Sequence, residues 1–202
     1  MTSAPSPGDA PAGGRLDHDF LALVGGRIRD RRKSTGMTVQ QLTDRAGISR
    51  RLLTQIEHGQ ANPSLVTVTG LARALGTDFT VLLEPAGDVD PLRVIAPEGH
   101  RLVWSSEAGS TAYLLVATSG QRDAVLWRWR LAPGDSYAGR PDPSGSQELF
   151  TVLKGTLTIV TGGAAHQVRA GEAARLLSDR AYTYRNDGPD AVTFLRVVAL
   201  AS

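Results

Sequence analysis

The chain has 202 residues, 41% of them hydrophobic and 21% charged, which is the composition of a globular protein of one or two domains. Cysteine is absent, so disulfides, cysteine nucleophiles, thiolate zinc sites and iron–sulfur clusters are excluded. The net charge of +2 is uneven: residues 15–83 carry +4 and residues 84–202 carry −1, so a polyanionic partner is sought in the first of these segments.

Four histidines, His18, His58, His100 and His166, are scattered along the chain. A histidine-rich metal site would need three distant ones to converge. No apolar run approaches the roughly 18 residues of a membrane span. No cationic start leads into an apolar stretch as in a secretory signal. A cytoplasmic protein with no membrane partner is expected.

Met1 to Gly14 are rich in Pro, Gly, Ala and Ser and show no apolar periodicity, so residues 1–18 read as a flexible tail. Helical patterning fills residues 19–83. Leu21, Val24 and Ile28 form one stripe of a first helix, Phe20 to Lys33, with Arg27, Arg31 and Arg32 off it. Thr38 and Gln41 are spaced as a capping box for a second helix, and Gly47 breaks it at a tight turn. Ser49 caps a third helix with Leu53 and Ile56 inward and Arg50, Arg51 and Gln55 outward. Asn62-Pro63-Ser64 starts a fourth helix, which buries Leu65, Val68, Leu71, Ala72 and Leu75. Asp78 caps a short last helix through Leu83.

Residues 84–100 contain three prolines and several acids and read as a linker. Residues 101–202 change texture. Short β-branched or aromatic runs such as Ala112–Thr118, Ala124–Leu131, Leu149–Leu153, Thr156–Thr161 and Val192–Leu200 alternate with Gly, Pro and Asn turns. That pattern predicts an antiparallel sandwich or barrel. In it, Trp127 and Trp129 alternate with Arg128 and Arg130, one buried and one exposed strand face.

A short helix, a glycine turn and a second short helix make a helix-turn-helix. The runs Met37–Leu42, Ala46–Ser49, Ile56–Gly59, Asn62–Leu65 and Leu71–Gly76 resemble the lambda-repressor/Cro-like (XRE) family. The resemblance implies a five-helix DNA-binding domain with the Ser49–His58 helix in the major groove. It makes Arg50, Arg51 and Gln55 the base readers, with Ser49, Leu52 and Thr54 at the margin, and Gln40, Arg45 and Asn62 phosphate contacts. Arginine suits guanine and glutamine suits adenine. Val39 stands where the family often has a glutamine.

In the second half, Gly134, Arg140-Pro141-Asp142, Glu148 and Gly155, followed by Gly171, Tyr182 and Asn186, resemble the two motifs of the cupin β-barrel. The positions that hold metal in metal-binding cupins are here Arg140, Asp142, Glu148 and Tyr182, without a histidine. Arginine is a permanent cation and a poor ligand, so no metal and no cofactor are expected. Trp129, Arg140, Asp142, Glu148, Phe150, Tyr182 and Tyr184 instead outline an effector pocket, a few polar groups within apolar walls. The expected whole is an α+β multidomain protein, an XRE–cupin transcriptional regulator. It would bind double-stranded DNA at a pseudo-palindromic operator as a homodimer and respond to a small-molecule effector, anionic or polar-headed if Arg140 meets it, cationic or amine-bearing if Asp142 and Glu148 neutralise Arg140. It is not expected to be an enzyme. The alternative is a metal-dependent cupin oxygenase or isomerase with an accessory DNA-binding domain.

Overall fold

The computed structural model describes residues 15–63, 65–77, 79–83, 92–118 and 124–200. Residues 1–14, Ser64, Asp78 and 84–91 lie outside these, and so do the side chain of Leu65, most of the expected tail, the Asp78 cap and the first part of the expected linker.

Four helices of eight residues or more build the N-terminal half: α1 (His18–Ser34), α2 (Val39–Ala46), α3 (Arg50–Glu57) and α4 (Leu65–Ala74). A five-residue helix, α5 (Phe79–Leu83), follows. Their starts are chemically marked. Asp17 caps α1 by accepting from Asp19 N and Phe20 N, both at 3.1 Å. The capping box of α2 forms, with Gln41 N donating to Thr38 Oγ1 (3.2 Å) and Thr38 N to Gln41 Oε1 (2.9 Å). Gly47 turns the chain in the left-handed region, φ 65°. Phe20, Val24, Ile28, Leu42, Leu53, Ile56, Leu71 and Leu75 close the core between the helices.

Helices α1 and α3 meet unusually closely. A Cβ on Gly25 would lie 2.0 Å from the Ile56 carbonyl oxygen, so only glycine lets the two backbones approach this far. Two turns along α1, Arg32 departs from expectation. Placed off the apolar stripe, it is nevertheless buried, because its guanidinium is fully used. Nε and Nη2 donate to the two carboxylate oxygens of Glu57 (2.6 and 2.8 Å), and Nη1 donates to Met37 O (3.1 Å). The fork-to-fork geometry pins α3 to α1.

From Arg101 on, the regular elements among the described residues are all antiparallel strands. Residues 15–16, expected within the tail, form β1 (Arg15–Leu16), and His18 already opens α1. The cause is an open sheet edge. β1 pairs with β2 (Arg101–Ser105) in the register Arg15↔Ser105 and Leu16↔Trp104, which satisfies backbone groups that β2 would otherwise leave exposed. The remaining strands are β3 (Thr111–Ala117), β4 (Ala124–Leu131), β5 (Ser136–Gly139), β6 (Gln147–Lys154), β7 (Thr156–Thr161), β8 (Ala164–Arg169), β9 (Ala173–Leu177), β10 (Tyr182–Arg185) and β11 (Val192–Ala199). One sheet runs β1-β2-β3-β4-β11-β6-β9 and the other β5-β10-β7-β8. Their inner faces share an aromatic core of Trp104, Trp129, Phe150, Tyr182, Tyr184 and Phe194.

Candidate functional site

Helix α3 has two unlike faces. Leu53, Ile56 and Glu57 are buried, and all three serve packing. Arg50, Arg51 and Thr54 are exposed, and Gln55 is half-buried. The helical period puts these four on the side away from the core. Ser49 Oγ accepts from Leu52 N at 3.1 Å, so its hydroxyl caps the helix. Gln40, Arg45 and Asn62 are exposed. Gln40 joins the two helices of the motif, accepting from Arg50 Nε and donating to Asp44. The expected DNA-contacting residues thus lie on and beside one exposed helix face.

The barrel holds a second cluster. Glu148 on β6 is fully buried. Its carboxylate accepts from Tyr182 OH at 3.0 Å and from Tyr184 OH. Both phenols come from β10, in the facing sheet, and stand on the same side of it. Burial first, and the Glu148 charge second, push both phenols well above the usual tyrosine range, so they stay protonated donors. Arg196 on β11 completes the cluster. Its Nη1 lies 3.3 Å from Glu148 Oε1 and donates to Tyr184 OH at 3.1 Å. Burial opposes its charge, but Glu148 and the tyrosines more than offset this and hold the guanidinium ionised. Its Cζ lies 5.1 Å from the Trp127 ring centroid and 5.0 Å from that of Trp129, an aromatic setting that favours a cation.

Asp142 is buried nearby. Desolvation first, and Glu148 second, raise its carboxyl from 3.8 to about 6. Phe150 and Phe194 line the cluster, with ring centroids 5.5 and 5.8 Å from that of Tyr184. Three donors in this wall have no partner: Arg196 Nε, Trp127 Nε1 and Trp129 Nε1.

Residues 28–82 match the helix-turn-helix family and residues 127–198 the cupin domain family. The chain is 25% identical over 167 residues to the HTH-type transcriptional regulator SutR of Escherichia coli, covering 83% of this chain and 89% of that protein. It is 33% identical over 70 residues to the uncharacterized HTH-type transcriptional regulator y4dJ of Sinorhizobium fredii, covering 35% of this chain and 91% of that protein.

The chain belongs to the XRE-type helix-turn-helix transcriptional regulators with a cupin domain. An HTH_3 family transcriptional regulator from Vibrio cholerae has the same fold, with a TM-score of 0.64 at 20% identity over 91% of this chain and 98% of that one.

In this regulator the barrel chemistry differs from the sequence expectation at one position. Arg140 is exposed. It lies one residue beyond the end of β5, where strand alternation no longer fixes a direction. The buried cation is Arg196, which sequence reasoning missed. A signal for it existed. Val192, Phe194 and Val198 mark the inward phase of β11, and Arg196 falls on that phase. Trp127 was assigned to a strand face without a role, and Tyr137, 4.7 Å from Trp129 ring to ring, was passed over. Among the expected pocket residues, Trp129, Asp142, Glu148, Phe150, Tyr182 and Tyr184 are all buried.

The donor set does not fit a transition metal. Both Glu148 oxygens are engaged by phenols, and a guanidinium already neutralises the carboxylate. Protonated phenols are poor ligands. Among the described residues no group of three or more His, Cys, Asp or Glu is placed to hold an ion. Among the described residues no helix is long and apolar enough to cross a membrane.

Proposed function

We propose that this protein is a sequence-specific DNA-binding regulator whose cupin barrel binds a small effector and modulates operator binding. Its reading unit is residues 19–83, its sensor is residues 101–202, and residues 84–100 join them. The observation that carries the reading is the division of α3, with Leu53, Ile56 and Glu57 spent on packing and Arg50, Arg51 and Gln55 left outward. An arginine fork can bond guanine O6 and N7, and glutamine can pair with adenine. Gln40, Arg45 and Asn62 flank this face as phosphate contacts that set register.

Two chains acting together would place two α3 helices about one DNA turn, roughly 34–36 Å, apart on a pseudo-palindrome. A surface suited to self-association is present. Leu149, Leu153 and Leu177 are exposed on the outer face of β6 and β9, and apolar patches of this kind mark protein contacts.

The effector reading rests on the unpartnered donors inside the barrel. A buried N–H without an acceptor is costly, and a ligand bringing oxygen acceptors to Trp127, Trp129 and Arg196 would relieve that cost. Because Glu148 already balances Arg196, a second full negative charge is not required. The favoured effector is a small organic molecule carrying carbonyl or hydroxyl oxygens, and the barrel acts as a sensor without catalysis.

Selection of bound sequences from a random duplex pool tests the first half. A palindrome is expected, and an unstructured collection of survivors would refute sequence-specific binding. For the second half, small metabolites are screened by thermal shift on the full chain. Hits are repeated with Trp127→Phe, which removes the N–H and keeps a ring. A saturable hit weakened by this change, and altering operator affinity, is the expected result. No hit, or hits indifferent to Trp127, would refute the sensor reading.

A further inference from the structure

The chain passes from the sheet into the DNA-binding helices without a spacer. Leu16 of β1 lies opposite Trp104. The next residue, Asp17, donates its N–H to Val103 O at 2.7 Å. The same Asp17 caps α1 through its carboxylate. A single residue is therefore both the last rung of the sheet ladder and the first group of the helix.

Each side of this junction leads to one of the two sites. On the sheet side, Trp104 packs against Trp129 at 5.4 Å with the rings tilted by 35° and meets Tyr137 edge-on at 5.3 Å, and Trp129 lies beneath Arg196. On the helix side, α1 is seamed to α3 by the Gly25–Ile56 approach and the Arg32–Glu57 fork. Both seams join packed, rigid elements, which transmit displacement instead of absorbing it.

We infer that the Leu16–Asp17 junction couples the barrel to the recognition helix, so that the states of the two sites bias each other through the position of α1. A shift of Trp129 moves Trp104 and the β2 edge, and β1 follows through its backbone pairing. Asp17 leaves no free residue to dissipate the motion, so α1 and with it α3 must respond. This deepens the effector reading by giving the barrel its route to DNA. Coupling between binding sites is reciprocal, so DNA on α3 must also alter the barrel. That consequence can be tested without any effector.

The chain has three tryptophans, Trp104, Trp127 and Trp129, all in the barrel strands. Their emission reports on the barrel alone. The full chain is titrated with a labelled mixed-sequence duplex at low ionic strength, where phosphate contacts suffice for binding. Label anisotropy follows binding and tryptophan emission follows the barrel. In the wild type both should change with one midpoint. Asp17→Ala removes the carboxylate cap and keeps the N–H, so its emission change should persist. Asp17→Pro suits the local backbone, φ −62°, but deletes the N–H to Val103. It should bind duplex and lose most of the emission change. Deleting residues 1–16 removes β1, keeps Asp17 and should act likewise.

An emission change that survives in both Asp17→Pro and the deletion overturns the proposal. So does an unchanged emission in the wild type. If anisotropy rises in that case, the DNA-binding reading stands, and if it does not, that reading falls as well. A failed metabolite screen bears on the effector alone and leaves this result untouched.

Discussion

Arg196 Nη1 stands 3.3 Å from Glu148 Oε1, with both side chains almost wholly removed from water. Removing one member of such a pair strands the other. Arg196→Met is expected to cost about 3–5 kcal/mol of stability. Glu148→Gln strands the guanidinium and should also destabilise. The double variant should cost less than the two singles together, by roughly 1–3 kcal/mol. Urea unfolding followed through tryptophan emission measures all three. Strictly additive losses would show that the two groups do not act as a pair.

Asp142 gives the barrel a pH dependence of its own. Its folded carboxyl is raised from 3.8 to about 6 by burial and by Glu148, so the folded protein holds a proton that the unfolded chain releases. The associated stability is present below 3.8 and is lost as pH rises through about 6. Unfolding midpoints of the wild type and Asp142→Asn, compared across this window, should diverge, the variant lacking the downward slope. Parallel curves would assign the slope to other groups.

Two adjacent glycines in α1 should respond to alanine with opposite signs. At Gly25 a methyl group meets the Ile56 carbonyl at 2.0 Å, whereas at Gly26 nothing lies within 4 Å. Gly26→Ala should stabilise by about 0.5–1 kcal/mol through helix propensity. Gly25→Ala should destabilise and weaken DNA binding, since α3 must shift. Thermal melts at 222 nm and duplex anisotropy decide it. Equal effects at both positions would deny the close α1–α3 approach.

On DNA, Arg51 and Arg45 should separate by kind. Arg51→Ala should cost about 1–3 kcal/mol on the selected operator and relax preference at one base position. Arg45→Ala should weaken operator and random duplex alike and lower the salt slope by about one. Competition titrations at several salt concentrations resolve the two patterns. Identical behaviour would mean that the reading face is misassigned.

The helical half was legible because its punctuation is local. Thr38 with Gln41, Gly47 and Ser49 each act within four residues, so the sequence carries the whole signal. Arg32 was not legible, since its burial depends on Glu57, 25 positions away. The β half divides in the same manner. Strands with clean alternation, such as β4 and β11, could be placed. β8, Ala164–Arg169, is nearly all exposed and carries no alternation to read. Within the barrel site, Glu148, Tyr182 and Tyr184 were legible because motif spacing and strand phase agree. Arg140 sits in a loop that strand phase does not govern, and it is exposed. Arg196 is hard to read because it is a single charge within the apolar run of β11, and its burial depends on Glu148 in another strand.

The seam between α1 and α3 also bears on how such a protein can change its targets. The side of α3 that holds the helix in place, through Leu53, Ile56 and Glu57, shares no side chain with the side bearing Arg50, Arg51, Thr54 and Gln55. Arg50, Arg51 and Thr54 are exposed and Gln55 is half-buried, so substitution at the first three leaves the Leu53, Ile56 and Glu57 packing in place. On the proposed reading of α3, DNA specificity could therefore be recoded at the outward positions on an unaltered scaffold.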